Sequence, residues 1–214
     1  MSSRIPSIIP LGVALLAAAA AVPSRAAAQT KPEYLVQIGF SRSTLGGSDA
    51  PEGLNARNGF FGGVGVGLTG ENGLGFRVEV NYDQKGVELP QDQEVRYGVQ
   101  LGYVDVPLLL RYVVGSEAED MSLRPAVFLG PSIGFEVDCQ QQVLDTGTGF
   151  FEQVACPSGT RHSTVLDGVA GFELGIQHFV VGLRYSFGFT ELLNGEGDPS
   201  LKNRMWALAL GYSF

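Results

Sequence analysis

The chain is 214 residues long, room for one domain and short for two. Its 22 Asp and Glu against 14 Lys and Arg give a formal net charge of −8, which argues against a nucleic-acid partner, since phosphate contacts need many clustered Lys and Arg. It has 30 glycines and only 17% charged residues, unusual for a soluble domain, yet past the N-terminal segment no apolar run is long enough for a membrane helix.

Arg4 precedes an apolar run from Ile8 to Val22, and Ala26-Ala27-Ala28 before Gln29 forms a small-residue cleavage site. Residues 1–28 therefore read as a secretory signal peptide and residues 29–214 as the mature domain, because the run is short and alanine-rich for an uncleaved spanning anchor. Without Arg4 and Arg25, 12 basic residues face 22 acidic ones and the formal net charge becomes −10.

The mature sequence alternates with a period of two, the signature of strands. Tyr34, Val36, Ile38 and Phe40 alternate with Leu35, Gln37, Gly39 and Ser41 in a first strand, and a polar loop from Ser43 to Asn58 follows. A second strand carries Phe60, Val64, Val66 and Leu68 on one face and Phe61, Gly63, Gly65 and Gly67 on the other. Beyond the tight turn Thr69 to Gly73, a third sets Leu74, Phe76, Val78, Val80 and Tyr82 against Gly75, Arg77, Glu79, Asn81 and Asp83. Lys85 and Gly86 close it, and a polar loop runs to about Glu94.

The fourth strand spans roughly Tyr97 to Tyr112, and its parity slips near Gly102, where a bulge is expected. The acidic turn Gly115 to Asp120 leads to a fifth strand, Leu123 to Val137, followed by the longest predicted loop, Asp138 to Arg161. Two more strands, Thr164 to Ile176 and Phe179 to Phe189, are separated only by Gln177 and His178, and a loop through Asn194-Gly195 and Asp198-Pro199 reaches the last. That strand, Asn203 to Phe214, sets Trp206, Leu208, Leu210, Tyr212 and Phe214 against small residues and ends on an aromatic, as a lipid-facing strand with aromatic girdles should. Trp206, Tyr212 and Phe214 are the expected signal by which a barrel assembly machinery recognises the chain.

Eight strands joined this way put every long connection at one end, the arrangement of outer-membrane barrels with long extracellular loops and short periplasmic turns. The expected fold is all-β: an eight-stranded antiparallel up-and-down transmembrane β-barrel, with outer-membrane lipid around it. A soluble ligand-binding barrel would need the apolar face inside, the reverse of what Arg77, Glu79, Arg111 and Arg184 require.

Tyr103-Val-Asp-Val-Pro-Leu-Leu-Leu-Arg-Tyr112 resembles the Y-L-E-I-P-L-L-L-K-Y block of the PorT-like family of bacterial outer-membrane β-barrel proteins. Glu79-Val-Asn-Tyr-Asp-Gln-Lys-Gly86 resembles its E-L-x-Y-x-x-K-G block, Arg184-Tyr-Ser-Phe-Gly188 its penultimate strand, and Gly211-Tyr-Ser-Phe214 its end. Asp105 stands where that family usually has Glu, a shorter carboxylate that can still point inward. The resemblance implies an eight-stranded outer-membrane barrel and no particular activity, and the cysteine-bearing loop lies outside it.

Two motifs match enzymes by letter only. Gly65-Val-Gly-Leu-Thr-Gly70 has dinucleotide-fingerprint spacing but turns into another strand instead of a helix, and no cofactor is expected. Gly130-Pro-Ser-Ile-Gly134 has nucleophile-elbow spacing but lies within an alternating strand, with His162 and His178 predicted at opposite rims. Single, separated histidines also give no metal site.

The inward parity carries the polar signal. Arg77, Glu79, Asp105, Arg111, Arg124, Glu136, Asp167, Glu173 and Arg184 form the expected lumen charge network, with Asp83 and Lys85 on the same parity. Side chains fill an eight-stranded bore, so these charges must pair. Cys139 and Cys156 share the longest loop and are expected to form a disulfide, which either only restrains that loop or presents Phe150 and Phe151 at its tip as a binding element. The chain reads as a non-enzymatic structural or adhesive barrel with a plugged lumen, binding an extracellular ligand or protein through its loops. A narrow solute or ion channel is the first alternative, and a membrane-embedded hydrolase the second.

Overall fold

The structure, a computed structural model, describes residues 30–50, 53–88, 95–115, 123–145, 148, 150–156, 161–192 and 200–214. The expected signal segment 1–28, the end of the third loop to Glu94, most of the acidic turn and the Asn194 to Pro199 stretch lie outside the described residues. The strands are β1 (Thr30–Gly46), β2 (Asn55–Gly70), β3 (Leu74–Glu88), β4 (Val95–Val113), β5 (Leu123–Asp145), β6 (Phe151–Ala155), β7 (Thr164–Ile176), β8 (Phe179–Gly188) and β9 (Lys202–Ser213), and all but β6 follow from the alternating pattern.

Eight of these close a ring, β1-β2-β3-β4-β5-β7-β8-β9, each strand antiparallel to its neighbours, while β6 pairs only with β5. The seam joins β9 to β1 from Leu35 opposite Ser213 to Gly46 opposite Lys202, and Tyr34 and Phe214 exchange two backbone hydrogen bonds of 3.0 Å. Closure leaves no sheet edge in the wall, so its backbone groups find partners without water. No helix among the described residues is long and apolar enough to cross a membrane.

The burial pattern is inverted relative to a soluble barrel. Tyr34, Val36, Ile38 and Phe40 are exposed, while Leu35, Gln37 and Ser41 on the opposite parity are buried. On β3 the exposed Phe76, Val78 and Val80 alternate with buried Arg77, Glu79 and Asn81. The glycines of β2 are spatial partners of that polar face: Gly63 opposes Asn81, Gly65 opposes Glu79 and Gly67 opposes Arg77. A Cβ on Gly65 would lie 3.1 Å from Glu79 Cγ, so the bare backbone there makes room for the buried carboxylate.

Two expectations need correction. The register does shift beside Gly102, but the extra residue is Val137 on β5, because Gly102 opposes Asp138 and Tyr103 opposes Glu136. Leu101 and Tyr103 are both buried, so β4 keeps its parity. The segment Asp138 to Arg161 is not wholly a loop: β5 continues to Asp145 and folds back as β6, with Gln140 opposite Ala155 and Leu144 opposite Phe151.

Candidate functional site

The bore holds two groups of charged side chains. Nearer the short-turn end, three arginines meet three glutamates. The Arg77 guanidinium donates through Nε to Glu79 Oε1 at 2.7 Å, through Nη1 to Glu173 Oε2 at 3.0 Å, and through Nη2 to Glu173 Oε1. Arg111 donates to Glu173 Oε2 at 3.1 Å and to Glu33 Oε2 at 2.9 Å, and Arg184 donates to Glu79 Oε2 at 2.6 Å. Asn81 and Gln37 complete the shell of Glu79 at 2.8 and 3.2 Å. Arg184 also lies 4.9 Å from the Phe61 ring centroid and 5.4 Å from that of Phe128, so its remaining surface rests on aromatic faces. Charges balance within this group, and both carboxylate oxygens of Glu79 and Glu173 are engaged.

Toward the long-loop end the balance fails. Lys85 Nζ lies 2.8 Å from Asp105 Oδ2 and 2.8 Å from Asp167 Oδ2, with the Tyr103 ring centroid 4.8 Å away. Asp83 is buried on the same face, making three carboxylates around one ammonium. One oxygen each of Asp83, Asp105 and Asp167, the Ser132 hydroxyl and both polar atoms of Asn203 have no hydrogen-bond partner among the described residues. Above this group lies an apolar cluster: Leu192, from the connection after β8, packs with Leu101, Tyr103 and Val165. Backbone bonds from His162 N to Leu192 O (3.0 Å) and from Leu192 N to Leu201 O (2.9 Å) hold it there.

Seven of the nine sequence-predicted lumen residues are thus brought together in two groups: Arg77, Glu79, Arg111, Glu173 and Arg184 below, Asp105 and Asp167 above. The other two are not. Arg124 is exposed at the start of β5 and makes no ion pair among the described residues, because a correct parity at the strand's end points beyond the bore. Glu136 pairs instead with Arg161 Nη2 at 3.0 Å, near the loop end. Glu33, absent from the predicted network, shares parity with Leu35 and Gln37, and that alternation was the available signal.

Beyond the wall, Cys139 and Cys156 form a disulfide at the base of the β5–β6 hairpin, with Cα atoms 5.5 Å apart. Phe150, Phe151 and Val154 are exposed on this hairpin. At the other end of the barrel, Tyr212 stacks on His178 at 5.4 Å and Phe214 on Tyr34 at 6.2 Å. Trp206 meets Tyr185 at 4.6 Å toward the loop end, so the three predicted insertion residues belong to two aromatic girdles and not one patch.

A closed ring of eight antiparallel strands, apolar outside and charged within, defines an integral outer-membrane β-barrel. The family described as outer membrane protein beta-barrel domain matches residues 27–194, and the chain belongs to it; its place is the cell outer membrane. No curated protein matches the chain. Among solved structures, Ail, the attachment invasion locus protein of Yersinia pestis, is similar at 16% identity over 86% of this chain and 99% of its own, with a TM-score of 0.46. Neisserial surface protein A is similar at 12% identity over 85% of this chain and 97% of its own, with a TM-score of 0.45.

Proposed function

We propose that this protein is a plugged outer-membrane barrel that holds a braced extracellular hairpin for adhesion or ligand binding. The observation that carries the reading is the β5–β6 hairpin, which extends past the ring with Phe150, Phe151 and Val154 exposed above a disulfide. Large exposed apolar side chains outside the lipid zone are suited to a partner surface, and the cross-link lowers the ordering cost of binding. The Arg–Glu group and the Leu192 cluster support the plug. Residues 1–28 serve as an export signal, and β9 with Trp206, Tyr212 and Phe214 engages the barrel assembly machinery. The Tyr103 to Tyr112 block supports a place within the PorT-like branch of the family.

The protein performs no catalysis in this reading. Ser132, the hydroxyl of the G-x-S-x-G stretch, opposes Asp167 in mid-strand, while His178 is in the turn between β7 and β8 and His162 precedes β7 at the other end. A narrow cation path is the second reading, favoured by the three carboxylates around Lys85. Vesicles carrying the protein should be retained on surfaces coated with extracellular proteins or glycans, and Phe150→Ser with Phe151→Ser should abolish retention. Planar bilayers should stay silent. Steady cation-selective openings, without retention on any surface, would replace the adhesive reading by the channel.

A further inference from the structure

Three basic side chains on the outer wall have no use in the interior. Arg204 is exposed between buried Asn203 and Met205 on β9, and Arg42 is exposed between buried Ser41 and Ser43 on the neighbouring β1. Lys202 shares the outward parity of Arg204, and the register sets Arg42 opposite Trp206, Thr44 opposite Arg204 and Gly46 opposite Lys202. None of the three forms an ion pair among the described residues. Among the described residues, the carboxylates nearby are engaged elsewhere: Asp49 accepts from Ser200 N at 2.9 Å and Glu191 from Ser200 Oγ at 2.7 Å.

Lys202 and Arg204 line a recess of about 670 Å³ with Gly47, Ser48, Tyr185 and Phe187. The Arg204 guanidinium lies across Gly46, where any Cβ would collide with it, so the bare backbone lets the fork lie flat along the wall. On β8 Phe187 stands opposite Arg204 and stacks edge-on with Phe189 at 5.2 Å, and immediately below them Trp206 meets Tyr185 at 4.6 Å. Strand rise puts Arg204 about 7 Å and Lys202 about 14 Å beyond Trp206. Aromatic belts sit at headgroup level, so these cations stand where lipid phosphates begin. The long loops mark this end as extracellular, and the leaflet met there is the outer one, built of phosphorylated glycolipid.

We propose that this face of β9 and β1 is a binding site for the phosphate of an outer-leaflet glycolipid. Arg204 supplies a two-pronged hydrogen-bonding fork to phosphate oxygens, and Lys202 and Arg42 flank it as point charges. Tyr185, Phe187 and Trp206 receive the first carbons of the acyl chains. Cations facing lipid are costly unless an anionic headgroup meets them, and here they are gathered on one seam of an acidic protein.

The test uses the refolded barrel in phosphatidylcholine vesicles doped with phosphorylated or dephosphorylated lipid A, and reads the lipid A that co-purifies with protein. Wild type should retain the phosphorylated form preferentially, and Lys202→Gln with Arg204→Gln should lower that retention about twenty-five-fold, each cation being worth about fivefold. Arg204→Lys, which keeps the charge and loses the fork, should give a partial loss and serves if the double variant fails to insert. Arg124→Gln, removing an exposed cation at the opposite rim, should change nothing. Millimolar inorganic phosphate should not compete, because the site combines phosphate with acyl chain. Equal retention of both lipid forms, retention unaffected by the variants, or displacement by inorganic phosphate would overturn the proposal.

Discussion

Arg77 is 1% exposed and lies within ion-pair distance of Glu33, Glu79 and Glu173, so the charge balance of the lower bore depends on it more than on any other side chain there. Replacing it with Met leaves Glu79 with Arg184 and Glu173 with Arg111 as sole cationic partners, in a space where water cannot substitute. Loss of one partner from a buried pair costs about 3–5 kcal/mol, and Arg77→Met should lower stability by that amount in urea unfolding from lipid vesicles. Arg111→Met should cost less, because both its carboxylates keep Arg77 and Glu33 is partly solvated. Equal effects would mean that the arginines act independently. Most of this group was legible because a period of two assigns each residue to a face. Height along the bore was not legible, and that is why Arg124 shares the inward parity yet stands in solvent at the strand's first turn of the pleat.

At the scale of elements, β9 and the β5–β6 hairpin show where sequence pattern carries and where it stops. β9 crosses lipid on one face and packs on side chains with the other, so every second residue is large and apolar and its identity as a strand is plain. In the hairpin β6 is exposed along its whole length, and Gln140 to Val143 of β5 facing it are at most half-buried. Gln140-Gln141-Gln142 therefore need not alternate, and a stretch that reads as loop is a strand held by backbone pairing and the cross-link. Glycine spacing on β2 was readable as relief for a narrow bore, while its partners Asn81, Glu79 and Arg77 could be named only once the register was known. The seam of β9 on β1 also predicts an assembly phenotype. Deleting Phe214 removes two backbone hydrogen bonds to Tyr34 and an aromatic stack on the same residue, at the end where the last and first strands must meet. Membrane insertion, measured as protein recovered in outer-membrane fractions after a carbonate wash, should fall sharply. Normal recovery would place recognition elsewhere on the chain.

For the whole molecule, closure and filling act together. The eight-strand ring leaves no backbone edge for detergent or another chain to invade, and the Arg–Glu group, the Lys85 group and the Leu192 cluster follow one another along the bore from the short turns to the loops, the filling that the proposed plug rests on. Unfolding must open the seam and expose paired charges at once, so the barrier to detergent at room temperature should be high and should collapse on heating. Folded and unfolded forms also differ greatly in compactness and in detergent bound. Refolded protein loaded without boiling on a denaturing gel should therefore migrate apart from the boiled sample, and the two bands should interconvert over a narrow temperature range. The Arg77→Met protein should make the same transition at lower temperature, because its ring is intact and only its filling is weakened. If wild type refolded in lipid gave one band at every temperature, the closed barrel would not be the stable state. If Arg77→Met shifted at the wild-type temperature, the ring alone would set the barrier and the interior charges would contribute little to it.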